Sequence, residues 1–216
     1  MSKKSRSVAT RVSPRELNRS RMRRAILDGA RRAFLAEGYS VSMDRIAEEA
    51  AVARKSIFNL FRSKDELFAA VLSEAVVHSV NDPVLDSDAE FERVLSDFAT
   101  HYLEIALSPE MIALGRLVYA EYQRFPELIG RLSNSVFGQS ITKVAHYFER
   151  LAASGRYNIG DPAAAAERFL SSVMGRERQR RLLGGTPRTP AQMRQYVDEA
   201  VRGFIFGVNP ARRRSR

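Results

Sequence analysis

From residue 22 to residue 206 the apolar side chains of this chain recur at three- and four-residue spacing. No stretch alternates with period two for long enough to argue a strand. That property predicts an all-α fold. Ile26, Ala30, Ala33 and Phe34 share one helical face opposite charged residues, and Gly38 is a fitting stop. Ser42 is a good N-cap for MDRIAEEA, in which Ile46, Ala47 and Ala50 repeat at helical spacing. The short connection Ala51-Val52-Ala53 leads to a second short helix over 54–61, with Ile57, Leu60 and Phe61 facing inward. Ser63 caps the next helix and Glu66 completes a capping box. That helix carries Leu67, Phe68, Val71 and Leu72 inward, continues towards Val80 and breaks at Asn81-Asp82-Pro83.

Beyond it the pattern predicts helices over 88–107, 110–123, 127–153, 162–183 and 190–206. Ser108-Pro109, Phe125-Pro126, Ser154-Gly155 and GGTPRTP punctuate them, and Asp161-Pro162 supplies a cap and a first-turn proline. The domain reading is a basic disordered arm over 1–20, a three-helix unit over 21–68, a larger helical bundle over 69–207 and a basic tail over 208–216. No internal repeat is evident.

Charge is distributed unevenly. The chain carries +10 from 35 Lys+Arg and 25 Asp+Glu. Residues 1–24 hold nine basic groups and one acid, Glu16, and the last nine residues add Arg212, Arg213, Arg214 and Arg216. The body between them is close to neutral. Basic ends on a neutral body fit nucleic-acid binding, because phosphate contacts release counterions. Solvated tails fit the same charges. A lipid-bound tail fits less well, since neither end has the bulky apolar residues an interfacial helix needs.

Other classes are excluded or disfavoured by what is missing. There is no cysteine, which removes disulfides and thiolate chemistry. No apolar run reaches 18 residues, and no apolar run follows the basic start, so neither a spanning helix nor a secretory signal is expected. His78, His101 and His146 lie too far apart in sequence to suggest a metal site. No phosphate-binding glycine loop and no nucleophile elbow occurs. An enzyme is not expected, nor any cofactor or metal, and the cytoplasm is the expected location.

Two short helices joined by a tight turn and followed by a capped longer helix are the layout of a helix-turn-helix. The second short helix presents Arg54, Lys55, Ser56, Phe58 and Asn59 off its apolar face. Arginine and asparagine can bond base edges bidentately, Ser56 can reach base or phosphate, and Phe58 can pack on sugar or a thymine methyl. Lys64, at the start of the next helix, can hold a phosphate together with backbone N–H groups. A three-helix unit of this size also shows exposed polar residues for no functional reason.

The stretch SMDRIAEEAAVARKSIFNLFRSKDELF resembles the DNA-binding domain of TetR-family transcriptional regulators. Ser42, Ile46, Ala47, Val52, Ser56, Ile57, Phe58, Phe61, Ser63, Lys64, Asp65 and Leu67 match that family's pattern in register. The resemblance implies that Ser42 contacts phosphate and that Arg54, Lys55, Ser56 and Asn59 face the major groove. It further implies that Phe58 lies against the DNA backbone and that Lys64 holds a phosphate. The chain departs from the pattern at the turn, where Ala51-Val52-Ala53 replaces the usual Gly-Val-Ser, and at Lys55 and Leu60. An alanine at 51 makes a positive φ costly, and an alanine at 53 removes a capping hydroxyl.

RLVYAEYQRFPELIGRL and RRLLGGTPRTPAQMRQYVDEAVRGF resemble, more faintly, an AefR-like regulatory domain of the same family. That resemblance implies a homodimer through the last two long helices. Phe169, Val173, Met174, Leu182, Leu183, Val197, Val201, Phe204 and Ile205 supply apolar stripes for such a contact, or for packing inside one chain. An effector pocket is expected within the bundle, among Phe98, His101, Tyr102, Arg116, Tyr119, Tyr122, Phe137 and Phe148, suited to an apolar or aromatic compound. The function so implied is a ligand-responsive regulator, most often a repressor, that binds palindromic double-stranded DNA. Effector binding would act through the helix over 64–80, which joins the two parts. A helical binder of nucleic acid or membrane surface, acting through its tails without reading sequence, is the alternative.

Overall fold

The computed structural model describes residues 13–78, 85, 90–155 and 157–207, without the side chains of 75–78 and 131–137. The predicted break at 81–83, most of the basic arm, the basic tail, and the side chains of His78 and Phe137 lie outside the described residues. Nine helices are described: α1 (Pro14–Glu37), α2 (Met43–Glu49), α3 (Arg54–Phe58), α4 (Lys64–His78), α5 (Phe91–Ala106), α6 (Pro109–Glu121), α7 (Pro126–Ala153), α8 (Pro162–Leu182) and α9 (Pro190–Gly207). There is no strand among the described residues. The chain divides into two compact units, the first ending at Val71 and the second starting at Leu72, so the boundary falls inside α4 rather than at 68/69.

Three elements differ from the sequence expectation. Helix α1 begins at Pro14, not at residue 22, and therefore takes in part of the arm expected to be disordered. Ser13 accepts a hydrogen bond from the Glu16 N–H at 3.2 Å, and the Glu16 carboxylate accepts one from the Ser13 N–H at 2.8 Å. This is a reciprocal capping box with proline in the first turn, and it starts a helix that has no apolar stripe to announce it. Helix α3 ends at Phe58 rather than at 61, although Phe61 N–H still donates to the Ile57 carbonyl at 2.8 Å. Helix α8 is broken at Gly175, whose φ of 39° and ψ of −143° are non-helical.

The first unit packs α1 across α2 and α4 around Ile26, Ala30, Phe34, Ile46, Ile57, Leu67 and Phe68, all of them buried. A Cβ on Gly29 would fall 2.5 Å from the Ala50 Cα, so glycine is what lets α1 and α2 approach this closely. Phe34 and Tyr39 stack, and both meet Phe68 edge-on at 5.1 Å, an arrangement that suits the ring quadrupoles.

The second unit is a helical bundle centred on an aromatic core. Helix α5 buries Phe91, Val94, Leu95, Phe98, Ala99, Tyr102 and Leu103, a one-faced set at helical spacing. Phe148, Phe169 and Phe204 close over it. Of the stripes on α8 and α9, Phe169, Val173, Val197 and Val201 are buried within the single chain. Leu183 and Phe206, at the ends of these helices, are 81% and 86% exposed.

Candidate nucleic-acid interface and a cavity in the bundle

The turn between α2 and α3 is set by hydrogen bonds from two successive amides. Val52 N–H donates to the Ala47 carbonyl and Ala51 N–H to the Glu48 carbonyl, both at 3.0 Å. That pair of bonds is a Schellman closure, which needs a left-handed residue between the two helices. Ala51 is that residue, at φ 52°, and it is the one non-glycine at positive φ among the described residues. Ala53 then caps α3 with no side-chain hydrogen bond. Ser42 caps α2, accepting from the Arg45 N–H at 3.1 Å. Ser63 accepts from the Glu66 N–H at 3.1 Å, while the Glu66 carboxylate reaches past the expected position to the Arg62 N–H at 2.7 Å.

This geometry places the seven residues singled out in the sequence on the surface of the first unit. Ser42, Arg54, Lys55, Phe58 and Asn59 are exposed, and Ser56 and Lys64 are half-buried. Phe58 is 43% exposed, high for a phenylalanine. The side chains of Lys55, Ser56 and Asn59 have no hydrogen-bond partner among the described residues. Arg54 is held instead. One guanidinium nitrogen sits 3.1 and 2.9 Å from the two Asp44 oxygens, and the group lies 5.6 Å above the Phe58 ring. The Lys64 ammonium sits 4.5 Å from the Tyr39 ring centroid, and the Tyr39 hydroxyl donates to Asp65.

Asp44 and Tyr39 are neighbours of the candidate residues that the sequence does not single out. Asp44 lies in the first turn of α2 and Tyr39 in the loop before it, and both act on cations far along the chain. Spacing shows neither contact.

In the second unit a cavity of about 630 Å³ opens between α6 and α8, lined by Arg116, Tyr119, Met174, Gly175, Arg178, Gln179, Leu182 and Leu183. Of the eight residues expected around a pocket, Arg116 and Tyr119 are here. Phe98, Tyr102 and Phe148 are not on this cavity but buried in the aromatic core, Phe98 stacked on Tyr102 and Phe148 on Phe204. His101 is half-buried on α5, Tyr122 is 55% exposed at the end of α6, and the Phe137 side chain is outside the described residues. Arg116 donates to the carbonyls of Leu182 and Arg181 at 2.8 and 3.0 Å. A cation thus closes the C-terminus of α8, where carbonyls lack helical partners.

A charged cluster lies beside the break in α8 that borders this cavity. A Cβ on Gly175 would fall 2.8 Å from the Tyr196 hydroxyl oxygen, and the positive φ disfavours any side chain there. Two residues on, the Glu177 carboxylate is buried and takes hydrogen bonds from Arg180 at 2.5 and 3.1 Å and from Arg188 at 2.8 Å. Arg180 also donates to the Thr186 carbonyl at 2.6 Å, and the Arg188 guanidinium covers the Tyr196 ring at 5.0 Å. Burial works to raise the Glu177 carboxyl, but the two guanidinium groups outweigh it and hold the carboxyl below its ordinary value.

Comparison with known proteins bears on both units. Residues 26–71 match the profile of bacterial regulatory proteins of the tetR family. Residues 93–206 match that of the AefR-like transcriptional repressor C-terminal domain. A solved TetR-family transcriptional regulator from Mesorhizobium loti superposes with a TM-score of 0.82 at 24% identity, over 88% of this chain and 98% of that one. The flavonoid-responsive regulator FrrA gives 0.75 at 28% identity, over 91% of this chain and 100% of that one. A TetR regulator from Agrobacterium tumefaciens gives 0.70 at 23% identity, over 93% and 97%. No curated protein matches the chain.

Proposed function

This chain belongs to the TetR family of bacterial transcriptional regulators, non-enzymatic DNA-binding proteins that work as dimers with small-molecule effectors, and we propose that it is a repressor that binds a palindromic operator as a homodimer and leaves it on binding an apolar or aromatic effector. One observation carries the reading: α3, set by the Ala51 turn, presents Arg54, Lys55, Ser56 and Asn59 outward from one packed unit. Those are the residue types that read base edges in a major groove. Ser42 and Lys64 flank them as phosphate contacts, and Phe58 supplies an apolar contact to sugar or thymine.

The domain boundaries proposed are a DNA-binding unit that ends within the first half of α4 and an effector-binding and dimerisation unit that follows from there. Dimerisation through α8 and α9 is supported by the exposure of Leu183 and Phe206 at their ends. The effector would occupy the cavity beside Gly175, where Tyr119, Met174, Leu182 and Leu183 offer apolar surface and Arg116 and Arg178 polar anchors. The flavonoid response of FrrA supports an aromatic effector. Coupling would pass through α4, the helix within which one unit gives way to the other. About 1–3 kcal/mol is the usual size of such a coupling, a 5- to 150-fold change in operator affinity. No described helix is long and apolar enough to cross a membrane, and the proposed site of action is the cytoplasm.

Selection of random duplex DNA by the purified full chain at physiological salt tests this. The expected result is one enriched palindrome. Arg54→Ala and Lys55→Ala should each relax the preference at particular base pairs, at about 1–3 kcal/mol per lost bidentate contact. Recovery of unselected DNA, or variants with the same preference as the parent, would overturn the assignment of α3 as the reading helix.

A further inference from the structure

Helix α1 is longer than the fold of its unit requires. Its first buried residue is Ile26, and residues 14–24 are exposed throughout. A capping box nevertheless holds this segment as helix from Pro14. Arg15, Arg19 and Arg23 follow one another at four-residue spacing and lie on the same face as Ile26, Ala30 and Ala33 further along. The stripe that is apolar where α1 packs on its unit therefore becomes cationic where α1 runs beyond it. Its direction is fixed at Arg23, whose guanidinium lies 5.7 Å over the ring of Phe61. Phe61 closes the turn that ends the reading helix, next to Asn59 and Leu60.

Among the described residues, four other arginines of the unit are held in ion pairs, whereas Arg15 and Arg19, like Arg21, Arg24 and Arg62, are not, and the shared face is what sets Arg15, Arg19 and Arg23 apart. Arg31 pairs with Asp28, Arg32 with Glu49, Arg45 with Glu37, Glu48 and Glu49, and Arg54 with Asp44. Arg15 and Arg19 have no acidic partner among the described residues, and Glu16, the one acid of the segment, is taken up by the capping box. Leu17 and Met22 are the exposed large apolar residues of the segment. Two such residues give too little apolar surface for a helix that anchors in lipid.

We propose that the exposed first turns of α1 form a rail for the DNA backbone, in which Arg15, Arg19 and Arg23 hold phosphates outside the base pairs read by α3. The rail spans about 12 Å from Arg15 to Arg23 at the helical rise. It adds affinity and lengthens the contacted DNA without changing which sequence is preferred, because phosphate contacts carry no base information. The proposal rests on the DNA-binding reading above.

The test compares the full chain with an Arg15→Ala/Arg19→Ala double variant on two duplexes, the selected palindrome and a scrambled sequence. Each is made with long flanks and with flanks trimmed to the read base pairs. Affinity is measured across a salt series. Arg23 is left in place because it packs on Phe61. On long duplexes the double variant should bind about tenfold or more weakly at physiological salt. Its slope of log K against log salt should be shallower by about 0.9 per lost contact. On trimmed duplexes parent and variant should converge, and an Arg15→Lys/Arg19→Lys variant should recover most of the slope. An unchanged slope on long duplexes would overturn the rail. So would loss of binding to phosphatidylserine vesicles with DNA binding intact, which would make lipid the occupant. If the parent shows no preference for the palindrome but the slope difference persists on both sequences, the regulator reading fails and the rail stands.

Discussion

Ala51 holds the helix-turn-helix together in a conformation that alanine disfavours. Its φ of 52° is imposed by the two amide bonds that close α2, and the residue is exposed, so no packing offsets the strain. A left-handed alanine costs about 1–2 kcal/mol relative to the right-handed region. Glycine avoids that cost but gives back about 0.5–1 kcal/mol in lost chain freedom on folding. Ala51→Gly should therefore stabilise the unit by about 0.5–1 kcal/mol. With a urea slope of about 1–3 kcal/mol per molar, that is a rise of a few tenths molar in the unfolding midpoint, followed by circular dichroism. An unchanged or lower midpoint would show that the turn relaxes around alanine at no cost. The same residue marks what a sequence can convey. The departure from glycine is visible in the letters, and so is the strain it predicts. The Asp44–Arg54 pair across the same turn is not, since it depends on how α2 and α3 are set against each other.

Helix α8 shows how far an element can be read from its pattern. Asp161 and Pro162 announce its start, and the Asp161 carboxylate does accept from the Ala163 N–H at 3.0 Å. The break at Gly175 is not announced, because one glycine in a helical run is as often tolerated as broken upon. Beside the break, Glu177 is tied to Arg188 of the loop before α9 and Tyr196 of α9 packs against Gly175, so the surroundings of the break are tertiary contacts that the letters do not announce. Tertiary packing likewise decides which of the expected pocket residues line the cavity, as Arg116 and Tyr119 do, and which do not. Aromatic residues along α5 and α7 can line a pocket or fill a core with equal periodicity, and here they fill the core. Helix α1 is the converse case, because Ser13, Pro14 and Glu16 spell its start while apolar periodicity is silent.

The Glu177 cluster makes the second unit sensitive to acid in a defined direction. Its carboxyl is held below the ordinary value of 4.5 in the folded chain. The unfolded chain therefore takes up the proton first, and the stabilisation is complete only above the unfolded value. It is lost as the pH falls through the lower folded one. Urea midpoints of the full chain and of Glu177→Gln should differ at pH 7, with the parent higher. They should converge as the pH is taken down from about 4.5. A gap that stays constant down to strongly acid pH would mean that the carboxylate charge does not stabilise the unit. General charge repulsion at low pH acts on both proteins and cancels in the comparison.

At the scale of the whole molecule, operator binding depends on two reading helices being joined. As the proposed reading helix, a single α3 would contact few base pairs, and a palindrome rewards a dimer by presenting its half-sites one DNA turn apart. Once one subunit is bound, the second meets its half-site at a high effective concentration, and overall affinity can exceed that of one half-site by 10²–10⁴ without new contacts. Phe206, 86% exposed at the end of α9, and Leu183, 81% exposed at the end of α8, are the apolar side chains whose exposure in the single chain a dimer through these helices would account for. Phe206→Glu should then bring the mass in light scattering from twice 24.3 kDa towards 24.3 kDa. Its affinity for the full palindrome should fall at least tenfold, towards the value for an isolated half-site. Half-site affinity itself should stay where it was, which separates loss of the dimer from loss of the fold. Leu183→Glu provides a second lesion on the other helix, assayed without effector because Leu183 also lines the cavity. If both variants remain dimeric with unchanged palindrome affinity, the ends of α8 and α9 are not the joint, and the subunits meet elsewhere on the bundle.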